Sequence, residues 1–393
     1  MTRCLACGSL DVRVFYEQAG VPVHSVLLCA TREQAVDFPR GEIRLGFCAE
    51  CGFIGNLSFR EELLRYSQDY EETQSFSPTF RAFHESLTRS FLDRHGLHRK
   101  KIVEIGCGKG DFLHLICQMG DNEGLGFDPA YIPERDAEAG KDKARFIQDF
   151  FSEELCDSDV DAFCCKMTLE HITRPAELLA TLRGCIERSD GARPEEALLF
   201  FQVPDVTRIL RDVAYWDIYY EHCSYFSAAS LRNLFVRAGF EPLRVASEYD
   251  AQYLTLEARP LGSAGVEGIS AAELDGLARD VDSFAREFEA RRTWWRDELE
   301  RRASRGAVLW GGGSKAVAFV TALGDTARQV DYVVDINPHK QGAFLPGSGH
   351  AVLNPEQLAE NPPGLIVLMN SIYRGEVEAQ LEELGVDSEL LAL

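Results

Sequence analysis

Residues 101–113, KIVEIGCGKGDFL, constrain the fold most: an apolar strand ends in Glu104 and runs into Gly106, Gly108 and Gly110. Glycines at alternate positions let the backbone turn sharply and approach a ligand that side chains would hold off. The position where a dinucleotide fingerprint carries its third glycine holds Asp111, whose charge opposes a pyrophosphate at that helix start. The loop therefore favours a ligand without phosphate. S-adenosylmethionine fits, because it presents a cationic sulfonium, an amino-acid head and a ribose. Eighteen residues after Gly110, Asp128 closes a second strand, GLGFDP, where a carboxylate can accept from both ribose hydroxyls. Asp149, in the third strand ARFIQDF, is assigned with Glu104 to the same cofactor site. A glycine-rich turn in some other α/β protein is the bland alternative, and the acid at the next strand end weighs against it.

The chain has 393 residues, 45% hydrophobic and 26% charged, enough for two or three globular domains. Its formal charge of −22 repels phosphate backbones, so no nucleic-acid partner is expected. No apolar run approaches the ~18 residues of a membrane span, and no signal-like apolar stretch precedes the first cysteine motif. The expectation is a soluble cytoplasmic protein without a membrane partner. Twelve cysteines then point to metal ligation and buried thiols more than to disulfides.

Four of those cysteines form two knuckles, Cys4-x-x-Cys7 and Cys48-x-x-Cys51, each followed by a glycine. Each knuckle supplies two thiolates from one tight turn, and two turns complete a tetrahedral sulfur site for a structural zinc. The 40-residue interval between them requires a sizeable loop or hairpin. Free cysteines or a redox pair are the alternative.

The expected organisation is a zinc-binding domain over 1–60, a helical substrate-contact segment over 61–96, a doubly wound α/β domain over 97–262, a linker helix over 263–303 and a C-terminal Rossmann-like domain over 304–393. Alternating strands and helices carry the central assignment, with two successive β-like runs, EPLRVASEYD and AQYLTLEARP, suggesting a hairpin at the sheet edge. Ser270-x-x-Glu273 reads as a capping box, and Leu277, Val281, Phe284, Phe288 and Trp295 form a helical stripe. That stripe would pack between domains or mediate dimerisation; the sequence leaves the oligomeric state open.

From about 304 the βα pattern restarts. Gly311-x-Gly313-x-x-Ala316, with Asp335 closing the next strand, matches the dinucleotide template better than the first loop does. Lys315, His339 and Lys340 could face a diphosphate there, while a degenerate half-fold without ligand is the competing reading.

A polar cluster that could do chemistry lies in YWDIYYEHCSYFS, where Tyr219, Tyr220, Glu221, His222 and Tyr225 follow a sheet strand. A histidine beside a carboxylate can act as a base near neutral pH, and nearby phenols can stabilise an oxyanion. His171, in KMTLEHITRP, lies at another strand end. An aromatic loop covering the sheet is the plain alternative.

At these residues the chain resembles the S-adenosylmethionine-dependent C-methyltransferases of deoxysugar biosynthesis. The matching motifs are CLACG with CAECG, EIGCGKG, EHITRP, YYEHCSYFS, WGGGSKAVAF, VVDINPHKQGAFLPG and MNSIY, and they span essentially the whole chain. The resemblance implies a class I methyltransferase doubly wound sheet flanked by an N-terminal zinc-binding module and a C-terminal Rossmann-like domain. It implies methylation of the carbon beside a ketone in a nucleotide-linked sugar, a small-molecule substrate. His222 would match the base, with Glu221 beside it, Tyr219 a phenol near the enolate, His171 a polar contact and Tyr70 a further phenol. The C-terminal domain would hold the nucleotide diphosphate, with Lys315 and the Pro346–Gly347 loop as candidates, and Lys340 and Tyr225 are assigned as further substrate contacts. Members acting on sugars carry a serine-rich stretch where this chain has YEETQSFSPTF, and a His-Gly-Gly-Ser turn where it has Asp250, Ala251, Gln252 and Tyr253.

Other functions remain open at this level. N- or O-methylation of a small secondary metabolite would use His222 on a heteroatom. An NAD-dependent oxidoreductase would use the C-terminal loop, although fewer than 60 residues follow Asp335. A nucleotide-sugar binding or scaffolding protein is opposed by the intact first glycine loop.

Overall fold

The computed structural model describes residues 3–64, 69–133, 143–152, 154, 159–188, 194–261 and 268–393. The cysteine-rich start forms a hairpin, β1 (Val12–Pro22), α1 (Arg32–Val36) and β2 (Arg40–Cys48), with β3 (Ile54–Asn56) added beside β2. Ile43, Leu45 and Phe47 alternate onto one buried face, the period-two pattern of a half-covered strand.

Residues 61–95 are not one helical region. After a 3₁₀ turn at Glu61–Leu63, residues 69–77 run as an extended strap, and α2 (Pro78–His95) starts only at the Ser77 cap. Residues 65–68 of that span lie outside the described ones. The strap is pinned to the N-terminal module: Glu71 N–H donates to Val26 O (2.9 Å) and Leu28 N–H to Asp69 O (3.2 Å). Tertiary hydrogen bonding overrides local helix preference here.

The central unit comprises β4 (Lys101–Ile105), α3 (Asp111–Gly120), β5 (Glu123–Phe127), β6 (Ala144–Ile147), β7 (Ala162–Lys166), α4 (Pro175–Glu187), β8 (Leu198–Pro204), α5 (Val206–Arg211), β9 (Ser224–Tyr225), α6 (Ala228–Arg237), β10 (Phe240–Glu248) and β11 (Tyr253–Pro260). Its seven-stranded sheet has the order β10-β11-β8-β7-β4-β5-β6. The five strands from β8 to β6 are parallel, and β10–β11 is the antiparallel hairpin at the edge. Strands β7 and β8 read as continuous apolar runs because both faces are covered. Phe163, Cys165 and Phe201 join the core with α4 and α6, while Cys164 and Phe200 pack with Phe91 and Phe112. Strand β9 lies outside this sheet and pairs with β3, so the N-terminal module and the central unit are stitched together.

Helix α7 (Ala271–Arg302) opens with the Ser270–Glu273 capping box and would extend about 48 Å. Its stripe, Leu277, Val281, Phe284, Phe288 and Trp295, is buried inside the chain. Phe288 meets Tyr16 of β1 edge to face, with ring centres 5.0 Å apart. The remainder, β12 (Ala307–Trp310), α8 (Ser314–Leu323), β13 (Val330–Val334), β14 (Val352–Leu353), α9 (Gln357–Glu360), β15 (Leu365–Leu368), α10 (Arg374–Leu384) and β16 (Glu389–Ala392), forms a parallel sheet of order β14-β13-β12-β15-β16. Trp295 packs on Phe319 of α8 at 5.2 Å between ring centres. No helix among the described residues is long and apolar enough to cross a membrane. Among the described residues ten cysteines are free thiols, as the metal and buried-thiol reading expects, but Cys185 is disulfide-bonded.

Candidate active site

One cavity of about 1340 Å³ runs from the first glycine loop to the second. Gly106, at φ 69°, leaves no room for a side chain, since a Cβ there would stand 2.1 Å from Thr168 Oγ1. Asp128 accepts from Gly108 N–H at 2.8 Å and from Ala130 N–H at 2.7 Å, which shapes the loop from the next strand end. Burial pushes its pKa up. The second loop repeats the device: Asp335 accepts from Gly312 N–H at 2.7 Å and from Asn337 N–H at 2.8 Å. Both carboxylates line the cavity and retain lone pairs for a ligand hydroxyl.

The strap crosses between the loops. Glu71 accepts from Asn337 Nδ2 at 2.9 Å on the C-terminal side. Glu72 faces the opposite way, so that a Cβ on Gly108 would lie 2.6 Å from its Oε1, and burial pushes its pKa up to about 7. Gln74 meets Tyr373, and Ser75 Oγ donates to Asp111 at 2.5 Å. Gln252 and Asn370 exchange two amide hydrogen bonds of 3.0 Å each across the cavity wall.

His222, Tyr219 and His171 come together on this wall, with ring centres 4.0 Å apart for Tyr219–His222 and 4.9 Å for His171–His222. The carboxylate facing His222 is Glu170, whose Oε1 lies 3.9 Å from Nε2. Burial pushes Glu170 up to about 8, and neither of its oxygens has a hydrogen-bond partner among the described residues. Burial lowers His171 to about 4 and, with His171 as neighbour, holds His222 well below the usual imidazole range. The imidazole is therefore neutral and can accept a proton, and a charge formed on it would be stabilised by the ionised form of Glu170. Burial also keeps the Tyr219 phenol protonated, as a donor should be. The ligand atoms of Glu170, His171 and His222 lie within 4.8 Å of one another, close enough to hold a metal ion.

The expected partnership of Glu221 with His222 does not occur. Neighbouring side chains leave the turn in different directions, and Glu221 points into the N-terminal module. It accepts from Ser25 N–H and Ser25 Oγ, both at 2.8 Å, with His24 Nδ1 at 3.5 Å. Ser25 Oγ also lies 2.8 Å from Ser314 Oγ at the start of α8. Tyr70 lines the cavity, its ring centre 5.9 Å from that of His24. Tyr225 stands behind the wall, its hydroxyl 3.4 Å from Tyr219 O, and Asp149 is not part of the lining. Lys315 and Lys340 do line it, but Lys315 is ion-paired with Asp217 and Lys340 lies 3.7 Å from Asp335. Glu104 also lines the cavity, while Gly110 caps α3. Sequence reasoning missed Glu170, although it precedes His171 at a strand end. It also missed Lys166 and His84, whose pairing joins β7 to α2 and leaves no local trace.

Away from the cavity, Cys4 and Cys51 Sγ are 3.6 Å apart, as are Cys7 and Cys48 Sγ, and all four lie within 4.8 Å. A tetrahedron with zinc–sulfur bonds of ~2.3 Å has sulfur–sulfur edges of about 3.8 Å, so the four residues fit zinc.

Residues 79–245 match the methyltransferase domain family, and residues 264–388 match the family described as the C-methyltransferase C-terminal domain. C-methyltransferase NovU of Streptomyces niveus is 29% identical over 196 residues, 46% of this chain and 46% of the relative, so the chain spans about half the length of the curated relative it matches. Among solved structures, an S-adenosylmethionine-dependent methyltransferase of Aquifex aeolicus is 16% identical, over 48% of this chain and 96% of that one, at a TM-score of 0.37. A putative methyltransferase of Listeria monocytogenes is 12% identical, over 46% and 100%, also at 0.37. The central unit has the class I methyltransferase α/β fold, its residues matching the methyltransferase domain family and the C-terminal residues matching the C-methyltransferase C-terminal domain family.

Proposed function

We propose that the protein is an S-adenosylmethionine-dependent C-methyltransferase acting on an activated keto sugar, nucleotide-linked, or a comparable keto compound. The observation that carries this reading is the single cavity that holds both glycine loops with Tyr219, His171, His222 and Glu170 between them. In the proposed reaction neutral His222 removes a proton from the carbon beside the ketone. Glu170 stabilises the imidazolium that results, and Tyr219 donates to the enolate oxygen. The carbanion then attacks the sulfonium methyl group in line, and S-adenosylhomocysteine leaves. The first loop and Asp128 would hold the cofactor. The second loop, with Asp335 and Lys340, would hold the far end of the substrate. Cys4, Cys7, Cys48 and Cys51 would hold a structural zinc outside the chemistry.

The test is turnover on nucleotide-linked 4-keto sugars in deuterated water, with the site of methylation read by mass spectrometry and NMR. Methylation at carbon with deuterium exchange at that carbon supports the proposal. Methylation of nitrogen or oxygen without exchange would replace it by heteroatom transfer.

A further inference from the structure

Tyr253 opens β11 and pairs with Pro204, the last residue of β8, which places it at the carboxyl edge of the parallel strands, on the wall of the main cavity. Ligands of doubly wound sheets bind at that edge. Its ring is buried and stacks on that of Tyr249, with centres 5.4 Å apart and planes parallel to within 1°. The turn that makes this stack is costly, because Tyr249, Asp250 and Ala251 are three successive residues other than glycine in the left-handed region, at φ 55°, 54° and 56°. Such outliers persist where the surrounding structure over-determines them, and they cluster at functional sites.

A one-way chain of hydrogen bonds ends on Tyr253. Gln74 Oε1 lies 3.0 Å from the Tyr373 hydroxyl, and a carbonyl oxygen can only accept, so Tyr373 is the donor. Having spent its proton there, Tyr373 accepts from the Tyr249 hydroxyl at 2.9 Å. Gln74 turns its amide N–H the other way and donates to the Tyr253 oxygen at 3.4 Å. The Tyr253 proton therefore has no acceptor in Gln74, and among the described residues this hydroxyl has no other hydrogen bond. Hydrogen bonds in series polarise one another, which strengthens the last O–H as a donor. The chain delivers one unspent proton donor to the cavity wall.

Burial pushes the Tyr253 phenol up to about 12, against the opposing effect of the Gln74 N–H, and the charges of Asp217 and Glu170 act in the same sense as burial. It keeps its proton at neutral pH. Tyr219 is held protonated by burial too, and the same two acids, Asp217 and Glu170, act on it. Two protonated phenols thus border the part of the cavity that holds Glu170 and His222. A carbonyl oxygen has two in-plane lone pairs and can accept from two donors at once.

We propose that Tyr253 is a second oxyanion donor, which together with Tyr219 holds the ketone oxygen of the substrate and the enolate formed from it. The inference rests on the C-methylation reading above. His222 takes the proton beside the ketone, the C–H electron pair forms the enolate double bond, and the C=O pair moves onto the oxygen that the two phenols hold. On methyl transfer that pair returns, the enolate carbon bonds the methyl group, and the S–C pair leaves with S-adenosylhomocysteine. Tyr253 keeps its own proton throughout, so its whole contribution is to the charge that develops on oxygen.

The test is Tyr253→Phe in the full-length protein, with turnover on nucleotide-linked 4-keto sugars and, in the absence of methyl donor, solvent-deuterium exchange into the substrate carbon. Both kcat and the exchange rate should fall roughly 10²–10³-fold, the loss expected for one oxyanion donor, while KM and S-adenosylhomocysteine affinity stay near those of the wild type. A KM that rises at unchanged kcat would put Tyr253 on a non-reacting hydroxyl of the substrate; it overturns the second donor and leaves C-methylation standing, as does exchange at the wild-type rate. If thermal unfolding shows that Tyr253→Phe does not fold, Gln74→Met decides. That variant keeps the phenol and removes the N–H that polarises it, so kcat should fall severalfold at unchanged KM, and an unchanged kcat overturns the proposal. A wild type that neither exchanges nor methylates at carbon overturns the second donor and the C-methylation reading together.

Discussion

Ser25 holds Glu221 twice, donating from its backbone N–H and from its hydroxyl at 2.8 Å each, across 196 positions of sequence. Ser25 follows the first strand of the N-terminal hairpin, Glu221 precedes His222, and Ser314 begins the first helix of the C-terminal unit 2.8 Å from the same hydroxyl. Three modules therefore meet at one buried carboxylate directly behind the cavity wall. Glu221 does not reach the cavity, so its part in the proposed chemistry is to fix the turn that carries Tyr219 and His222.

Ser25→Ala should leave cofactor affinity unchanged and reduce turnover, because it loosens the catalytic turn while sparing the first glycine loop. The hydroxyl–carboxylate hydrogen bond should contribute about 1.5–3 kcal/mol to stability. A thermal unfolding series of Ser25→Ala, Glu221→Ala and the double variant should show that their effects are not additive. Additive losses would mean that the two residues act separately.

The chain should carry one zinc ion, measurable by metal analysis of the purified protein. Stripping it with a strong chelator, or replacing Cys48 by Ser, should destabilise the N-terminal module, because ligand binding and folding are coupled in such sites. Since Ser25 belongs to that module, turnover should fall further than S-adenosylhomocysteine affinity does. A metal-free protein of unchanged stability would rule the zinc out.

The paired carboxylates Asp128 and Asp335 invite a matched comparison. Asp128→Ala removes an acceptor from two loop N–H groups and the proposed ribose contact together. Its S-adenosylhomocysteine affinity should fall roughly 10- to 100-fold, with a loss of stability of about 1–3 kcal/mol. Asp335→Ala frees the equivalent N–H groups of the second loop and should leave that affinity unaltered. Strong NAD binding sensitive to Asp335 and indifferent to Asp128 would reverse the assignment of the loops.

Glu104 makes the unliganded protein sensitive to pH. Its pKa rises from an ordinary 4.5 to about 8 on folding, so between those values the folded state binds more protons than the unfolded one. The stability this group contributes is full below about 4.5 and lost as pH climbs through 8. Glu72 acts in the same sense, from 4.5 to about 7. Glu104→Gln keeps a neutral side chain at every pH, so its thermal midpoint should decline less than that of the wild type between about pH 5 and pH 8. Parallel pH profiles for the two proteins would contradict the buried acid.

What the sequence discloses follows the range over which each feature is encoded. The glycine loops, the acids at the next strand ends, the cysteine knuckles and the α7 stripe are local patterns, and each appears as a structural element where its residues stand. The strap at 69–77 was misread as helix because its conformation comes from hydrogen bonds to residues 26–28, which no local window contains. Glu221 was misassigned for a related reason: adjacency in sequence to His222 says nothing of which side of a turn each side chain takes. The contact of Lys166 with His84 joins positions 82 apart, and the pairing of β9 with β3 joins Tyr225 to Ile54. Such features can be recognised only when the chain is folded.

His222 is expected to be the principal base. It is 3% exposed, lies against Tyr219 and His171, faces Glu170 at 3.9 Å, and lines the cavity between the two glycine loops. Its low pKa makes it a weak base in isolation, but Glu170, with its pKa up near 8, would in its ionised form stabilise the imidazolium as the imidazole gains the substrate's proton. The pair should titrate as a unit. His222→Ala should therefore lose roughly 10²–10⁴-fold in turnover, and Glu170→Gln a smaller factor, because the amide keeps the shape without the compensating charge. Affinity for S-adenosylhomocysteine should be nearly the same in both variants, since neither residue belongs to the first loop. Solvent-deuterium exchange into the substrate carbon, followed in the absence of methyl donor, separates proton removal from transfer: the wild type should exchange and His222→Ala should not. Exchange that persists in His222→Ala would move the base to another residue, with Tyr219 and His171 the next to test.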